Sequence, residues 1–284
     1  MKQISKKLVL YSLILIFGSS CAPKLKSTIT NPQEHLATND FVLVLGIQDP
    51  FENDGIKVGT IRASDNGLST NCSYYEVLEL LKGIARENGA NVMKITEHKT
   101  PGLKSTCDRV TADIFRVPDF RKHEQEIQWS SDRKLTWADF KGMPTIVSNS
   151  NVGAQSYCGF GFQSNYVTAF SKAKIFVHAT FDCNLSWVRD DQKHRDELLE
   201  HEQFHFNLSE VYARKLRKRF SETQLSAGNI NTEANTIFKQ IYAEYLNRQE
   251  LYDFETKHGL DKGQQKRWQF TIRQELLDLQ SFEQ

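Results

Sequence analysis

The chain has 284 residues, with 36 Lys and Arg against 35 Asp and Glu and a formal net charge of +1. This balance leaves no basic excess of the kind that binds nucleic acid. Length and composition fit two modest domains, and five cysteines raise the question of compartment.

Residues 1–20 read as an export signal rather than as structure. Lys2, Lys6 and Lys7 form a positive start, and Leu8 to Phe17 is an apolar run too short to span a bilayer as a helix. Gly18-Ser19-Ser20 before Cys21 resembles a bacterial lipobox, with Gly18 where Leu is usual. That resemblance implies a lipid on Cys21 and a membrane-anchored lipoprotein of the cell envelope, periplasmic or surface-facing. Plain secretion with cleavage nearby is the alternative. Cys72, Cys107, Cys158 and Cys183 remain. An even number in an exported chain points to disulfides; four allow three connectivities, and the split into two early and two late favours 72–107 and 158–183. Their spacing has no C-x-x-C character, which argues against a cysteine zinc site.

Residues 21–38 are polar and predict a tether. Over 39–118 the pattern predicts a small α+β domain: strands at Phe41–Gly46 and Ile56–Ile61, an amphipathic helix at Tyr74–Glu87 closed by Asn88-Gly89, and strands at Asn91–Thr96 and Arg109–Val117. The run Glu87-Asn88-Gly89-Ala90-Asn91 is similar to small envelope domains such as that of the Rcs-pathway stress-sensing lipoprotein. Pro118 to Glu126 reads as a charged linker.

Residues 125–284 have a different character. Thr136 predicts the cap of a short helix that buries Trp137 and Phe140. Strands follow at Val152–Phe162, Tyr166–Phe170 and Lys174–Phe181, the last apolar enough to be central. A helix over Arg195–Phe220 carries His201-Glu202-Gln203-Phe204-His205. His201 and His205 lie one turn apart on one face, and both imidazoles can reach one metal ion. Glu202 sits beside the first of them, where a carboxylate takes a proton from a metal-bound water, so this H-E-x-x-H run matches the apparatus for hydrolysing an amide on zinc. The plainer reading is that two histidines and a glutamate are packing residues of a charged amphipathic helix. Their place mid-helix on a half-apolar face favours the metal.

Leu135-Thr136-Trp137-Ala138-Asp139-Phe140-Lys141-Gly142, Ser186-Trp187-Val188, the histidine motif, and Tyr252-Asp253-x-x-Thr256-x-His258-Gly259 together resemble DUF922, a family of exported bacterial proteins suspected to be zinc-dependent proteases. The resemblance covers roughly 125–270. It implies a zincin-like metallopeptidase domain, a β-sheet plus two long helices, the second running from Thr232 to about Lys257.

A catalytic zinc takes three protein ligands and one water, and the third is open between His258, Asp253 and Glu244. His258 is preferred, because imidazole is a common zinc ligand and His258 closes the resembling motif. Straight antiparallel helices would instead bring Glu244 opposite the two histidines. Two functions follow. One is a lipid-anchored zinc endopeptidase acting on proteins or peptides, with Glu202 as general base and Tyr252 as an oxyanion donor. The other is a non-catalytic envelope lipoprotein that binds or senses a partner around a structural metal.

Overall fold

The computed structural model describes residues 22–283, apart from positions 53, 66, 68, 70–71, 103–104, 145–151, 166–173 and 227. The signal segment, Cys21 and the strand expected over 166–170 lie outside the described residues. No helix among the described residues is long and apolar enough to cross a membrane.

The first half is a five-stranded sheet under one helix. Its strands are β1 (Lys24–Ile29), β2 (Leu43–Leu45), β3 (Ile56–Ser64), β4 (Val92–Lys99) and β5 (Arg109–Arg116), in the spatial order β1-β3-β5-β4-β2. Only β2 and β4 run parallel. Helix α1 (Tyr74–Glu87) has apolar residues four apart, so Val77, Leu81 and Ala85 share a face and bury against Ile61, Ala63, Ile95, Val110 and Ala112. The helix stops at Asn88 because Gly89 adopts φ +74°, and a Cβ there would meet Glu34 O at 2.3 Å. Only glycine meets both demands.

The expected tether is a strand. Lys24–Ile29 pairs with β3 from Lys24↔Ser64 to Ile29↔Gly59. Almost every residue of β1 is exposed, so main-chain pairing holds an edge strand that no hydrophobic pattern announces. The first domain therefore begins at Lys24 rather than near 39. The expected linker is folded as well. Phe120–His123 makes a 3-10 turn, and Glu124 is buried where it accepts from Arg121 (3.2 Å) and Arg133 (2.7 Å).

In the second half, β6 (Glu126–Gln128), β8 (Cys158–Asn165) and β9 (Lys174–Asp182) form a sheet with β9 in the centre, as its apolar sequence predicts. The short strands β7 (Ala154–Gln155) and β10 (Trp187–Val188) pair antiparallel ahead of the helices. Helices α2 (Asp196–Ser221) and α3 (Ile230–Thr256) match the two expected. A third, α4 (Lys262–Asp278), was not foreseen. Asp261 caps it, accepting from Gly263 N (3.1 Å) and Gln264 N (3.0 Å). Its apolar stripe is thin, with only Trp268 and Ile272 buried in the core. The whole is α+β. The halves meet where Tyr75 of α1 packs its ring on Phe176 and His178 of β9 and Glu76 pairs with Lys174 at 2.5 Å.

The early cysteines are joined: Cys72–Cys107 is a disulfide, whereas Cys158 and Cys183 are free thiols. The 158–183 pairing is therefore corrected, and sheet register gives the reason. Cys158 lies opposite Phe181 across the β8–β9 ladder, so Cys183 occupies the diagonal position, about 7–8 Å away, beyond the usual disulfide span of about 4.4–6.8 Å. Burial pushes the Cys158 thiol up to about 11 and the Cys183 thiol up to about 12, so neither is a ready nucleophile.

The early bridge closes a separation of 35 residues, for which chain entropy predicts about 3–4 kcal/mol. Cys72→Ala with Cys107→Ala should lose roughly that much in urea unfolding. Non-reducing peptide mapping should return 72–107 with 158 and 183 alkylated singly; a 158–183 peptide would contradict the register.

Candidate metal centre

Helix α2 carries His201 and His205 one turn apart on the face that meets α3. Antiparallel α3 answers with the same spacing. Tyr245 Oη stands 3.0 Å from Ser209 Oγ, Gln249 Oε1 2.6 Å from His205 Nδ1, and Asp253 Oδ1 3.1 Å from His201 Nε2. Each step of four residues along α2 is matched by a step of four back along α3.

Three donor atoms converge at the end of this ladder. His201 Nε2 and His205 Nε2 are 3.1 Å apart, and Asp253 Oδ1 is 3.1 Å from each. Among the described residues this is the one group of three whose donor atoms could hold a metal ion. Zinc bonds of about 2.0–2.2 Å at tetrahedral angles separate neighbouring ligands by ~3.3–3.5 Å, close to this triangle.

The remaining ring nitrogens set the tautomers. His201 Nδ1 lies 3.1 Å from Gln265 Oε1, and His205 Nδ1 meets Gln249 Oε1. Both amides are held in this sense: Gln265 Nε2 donates to Tyr252 Oη (2.6 Å) and Gln249 Nε2 to the His205 carbonyl (3.0 Å). An amide oxygen only accepts, so each Nδ1 carries the proton and each Nε2 turns its lone pair to a shared point. Two such lone pairs and a carboxylate oxygen at this spacing require a cation, either a proton or a metal ion. Burial opposes charge on His205, but Asp253 and then Glu202 outweigh it and lift its pKa to about 9. Burial likewise opposes charge on Asp253, yet the two imidazoles hold its carboxyl far below the usual carboxylate range.

Every fixed position of the Tyr252-to-Gly259 motif touches this cluster. Tyr252 is fully buried, stacks on the His201 ring at 4.7 Å, and donates to the His201 carbonyl (3.2 Å). Its hydroxyl is committed there, so its expected role as oxyanion donor gives way to that of holding His201. Thr256 Oγ1 donates to the Tyr252 carbonyl (2.6 Å) and accepts from Gly259 N (3.3 Å). Gly259 has φ +80°, and a Cβ on it would meet His201 Cβ at 3.1 Å. Lys257 and His258 are also left-handed, at φ 50° and 54°, so three such residues in a row fold the chain over the histidine.

Asp253, not His258, completes the triangle. The His258 side chain is 62% exposed; its Nδ1 lies 3.3 Å from the same Asp253 Oδ1, but it does not belong to the converging group of His201, His205 and Asp253. Glu244 is exposed on α3. The antiparallel argument for Glu244 had the right form, but each residue by which the turn's centre shifts moves the facing residue by two. The Gln249–Asp253 spacing mirrors His201–His205 and was readable; Gln265 sits on the unforeseen α4 and was not.

Glu202 is buried beside the cluster and bonds to none of its three donor atoms. Its Oε2 accepts from Ser156 N (2.9 Å) and Ser156 Oγ (2.6 Å), so both of its hydrogen-bond anchors are neutral. His201, Glu202, His205 and Asp253 line a cleft of about 880 Å³ with Gln155, Ser156 and Tyr242. A second cavity of about 900 Å³ lies across α2, lined by Trp129, Leu135, Phe204, Arg214 and Leu276. Volume does not separate the two; the donor cluster does.

Residues 171–259 match the family model described as "Bacterial protein of unknown function (DUF922)". This segment is a DUF922 region. It runs from β9 through the turn at Gly259 and so contains both histidines, Glu202 and Asp253, while Ser156 and Gln265 stand outside it. No curated protein and no solved structure matches the chain.

Asp253→Ala and His205→Ala should each strip bound metal from the purified protein, measured by mass spectrometry of the elements. His258→Ala and Glu244→Ala should retain it. Gln249→Leu, which frees the His205 tautomer, should weaken metal affinity by about 10–100-fold.

Proposed function

We propose that the chain is a zinc-dependent peptide-bond hydrolase of the bacterial cell envelope, anchored through Cys21. The observation that carries this reading is Glu202: a buried carboxylate held by a neutral serine, next to a cation-demanding triangle and open to the same cleft. Two imidazole nitrogens and one carboxylate oxygen suit zinc. Three protein donors among the described residues, rather than four, correspond to a catalytic rather than a closed structural site. Bound zinc would supply Lewis-acid polarisation of a carbonyl and a lowered pKa for water.

The chain's own residues do the rest. Glu202 accepts a proton from the attacking water and returns it to the leaving amine, while Ser156 N–H and O–H keep its carboxylate aimed. Gln249 and Gln265 hold the proton of each neutral imidazole on Nδ1 and so aim each Nε2 at the shared cation site. Among the described residues strand β8 is the outer edge of its sheet and lines the cleft from Cys158 to Gly161, which suits an extended polypeptide adding by main-chain pairing.

Glu202→Gln keeps the shape and removes the basicity. It should fold, bind one metal ion, and lose about 10²–10⁴ in the rate of cleaving a peptide library. Chelation should abolish cleavage by the parent and zinc should restore it. A Glu202→Gln variant as fast as the parent would remove the general base from the mechanism, and a zinc-loaded parent that cleaves nothing would remove the hydrolase.

A further inference from the structure

The first sheet buries one face under α1; on the other, Leu43, Val92 and Phe115 pack with Phe51 and Phe120 at one end, and the opposite end faces outward. Register assigns the outward side chains at the end where the chain enters. One row crosses four of the five strands as Lys26, Arg62, Thr111 and Glu97, and the adjacent row holds Lys24 beside Ser64 and Arg109 beside Lys99. Four of the five cations are exposed, and Arg109 is half-buried. The one carboxylate in these two rows, Glu97, is already bound by Lys99 at 2.6 Å. In the next row Asp113 is held by Lys57 at 2.6 Å and by Thr60. An area of about 14 by 7 Å thus carries an excess of four positive charges, in a chain whose net charge is +1.

Protection of a sheet edge explains Lys24 and Lys26, because lysines on an edge strand block pairing with other chains. It does not explain Arg62 and Arg109, which stand on the interior strands β3 and β5. A second observation concerns the path of the chain. Ala22 O accepts from Ser69 Oγ (3.2 Å), Pro23 is buried, and β1 starts at Lys24. The residue after Cys21 is therefore already bound to the domain, and no slack separates the expected acylation site from the corner of the basic patch.

We propose that this outward face, through Lys24, Lys26, Arg62, Lys99 and Arg109, docks on an anionic phospholipid surface. The cations lie against headgroup phosphates, and the domain sits on the bilayer rather than swinging on a tether. Each Lys or Arg near such a surface contributes about fivefold in partitioning, and salt weakens the attraction.

The chain beginning at Ala22 retains every described residue and carries no lipid, so it isolates the patch from the anchor and from the hydrolase reading. In co-sedimentation at low ionic strength it should bind vesicles of mixed phosphatidylglycerol and phosphatidylcholine, ignore pure phosphatidylcholine, and be released by salt. Arg62→Gln with Arg109→Gln should reduce partitioning about 25-fold, as should Lys24→Gln with Lys26→Gln on the exposed edge. Lys218→Gln with Arg219→Gln on α2 should change nothing. Equal binding to both vesicle types, no binding to either, or binding unchanged in both patch variants would overturn the proposal.

Discussion

The second half of the molecule depends on one electrostatic constraint. Three electron-rich atoms, two imidazole nitrogens and a carboxylate oxygen, are held 3.1 Å from one another and repel unless a cation lies among them. Packing has to supply the force that keeps them there. The α2–α3 ladder supplies it: the histidines and Asp253 ride on two long helices locked by Tyr245, Tyr212 and Phe160 in the same core. A buried aromatic pair contributes about 0.5–1.5 kcal/mol beyond its area, and several such pairs flank this ladder.

The turn after α3 shows what the arrangement costs. Left-handed backbone at Lys257 and His258 costs of order 1–3 kcal/mol at each non-glycine residue. It persists because the same turn brings Gly259 against His201 and lets Thr256 tie Gly259 back to Tyr252. The turn holds His201 from behind, while Gln265 reaches in from α4 to set its tautomer. The family match ends at Gly259, yet the support of His201 continues six residues beyond it.

How much was legible follows from the kind of signal each element carries. Helices α1, α2 and α3 announced themselves through apolar periodicity, and the histidine pair through a spacing that one turn of helix dictates. β1 and α4 were not legible because one is an exposed edge held by main-chain bonds and the other buries few apolar side chains. The third corner needed the α2–α3 register, a property of the turn that a periodic pattern does not encode. Asp253 was weighed, and an imidazole was preferred to it on ligand chemistry and on the place of His258 at the end of the resembling motif. The late cysteines failed for a related reason: parity in sequence does not tell a directly opposed pair from a diagonal one.

The position of Glu202 ties these parts together. A buried carboxylate is costly unless compensated, and a structural glutamate in this core would be met by a cation, as Glu210 is met by Arg214 and Arg217, each at 2.8 Å. Both glutamates lie on α2, two turns apart and equally buried, and they are satisfied in opposite ways. Guanidinium groups bond directly to Glu210, whereas Glu202 takes its hydrogen bonds from the amide and hydroxyl of Ser156 and acts on His205 through charge alone. Ser156 directly follows β7, whose ladder with β10 leads into α2. The carboxylate beside the donor triangle is therefore braced by the rim of the cleft. On the hydrolase reading proposed above, a chain entering along that rim would meet Glu202 and the donor triangle in one fixed geometry.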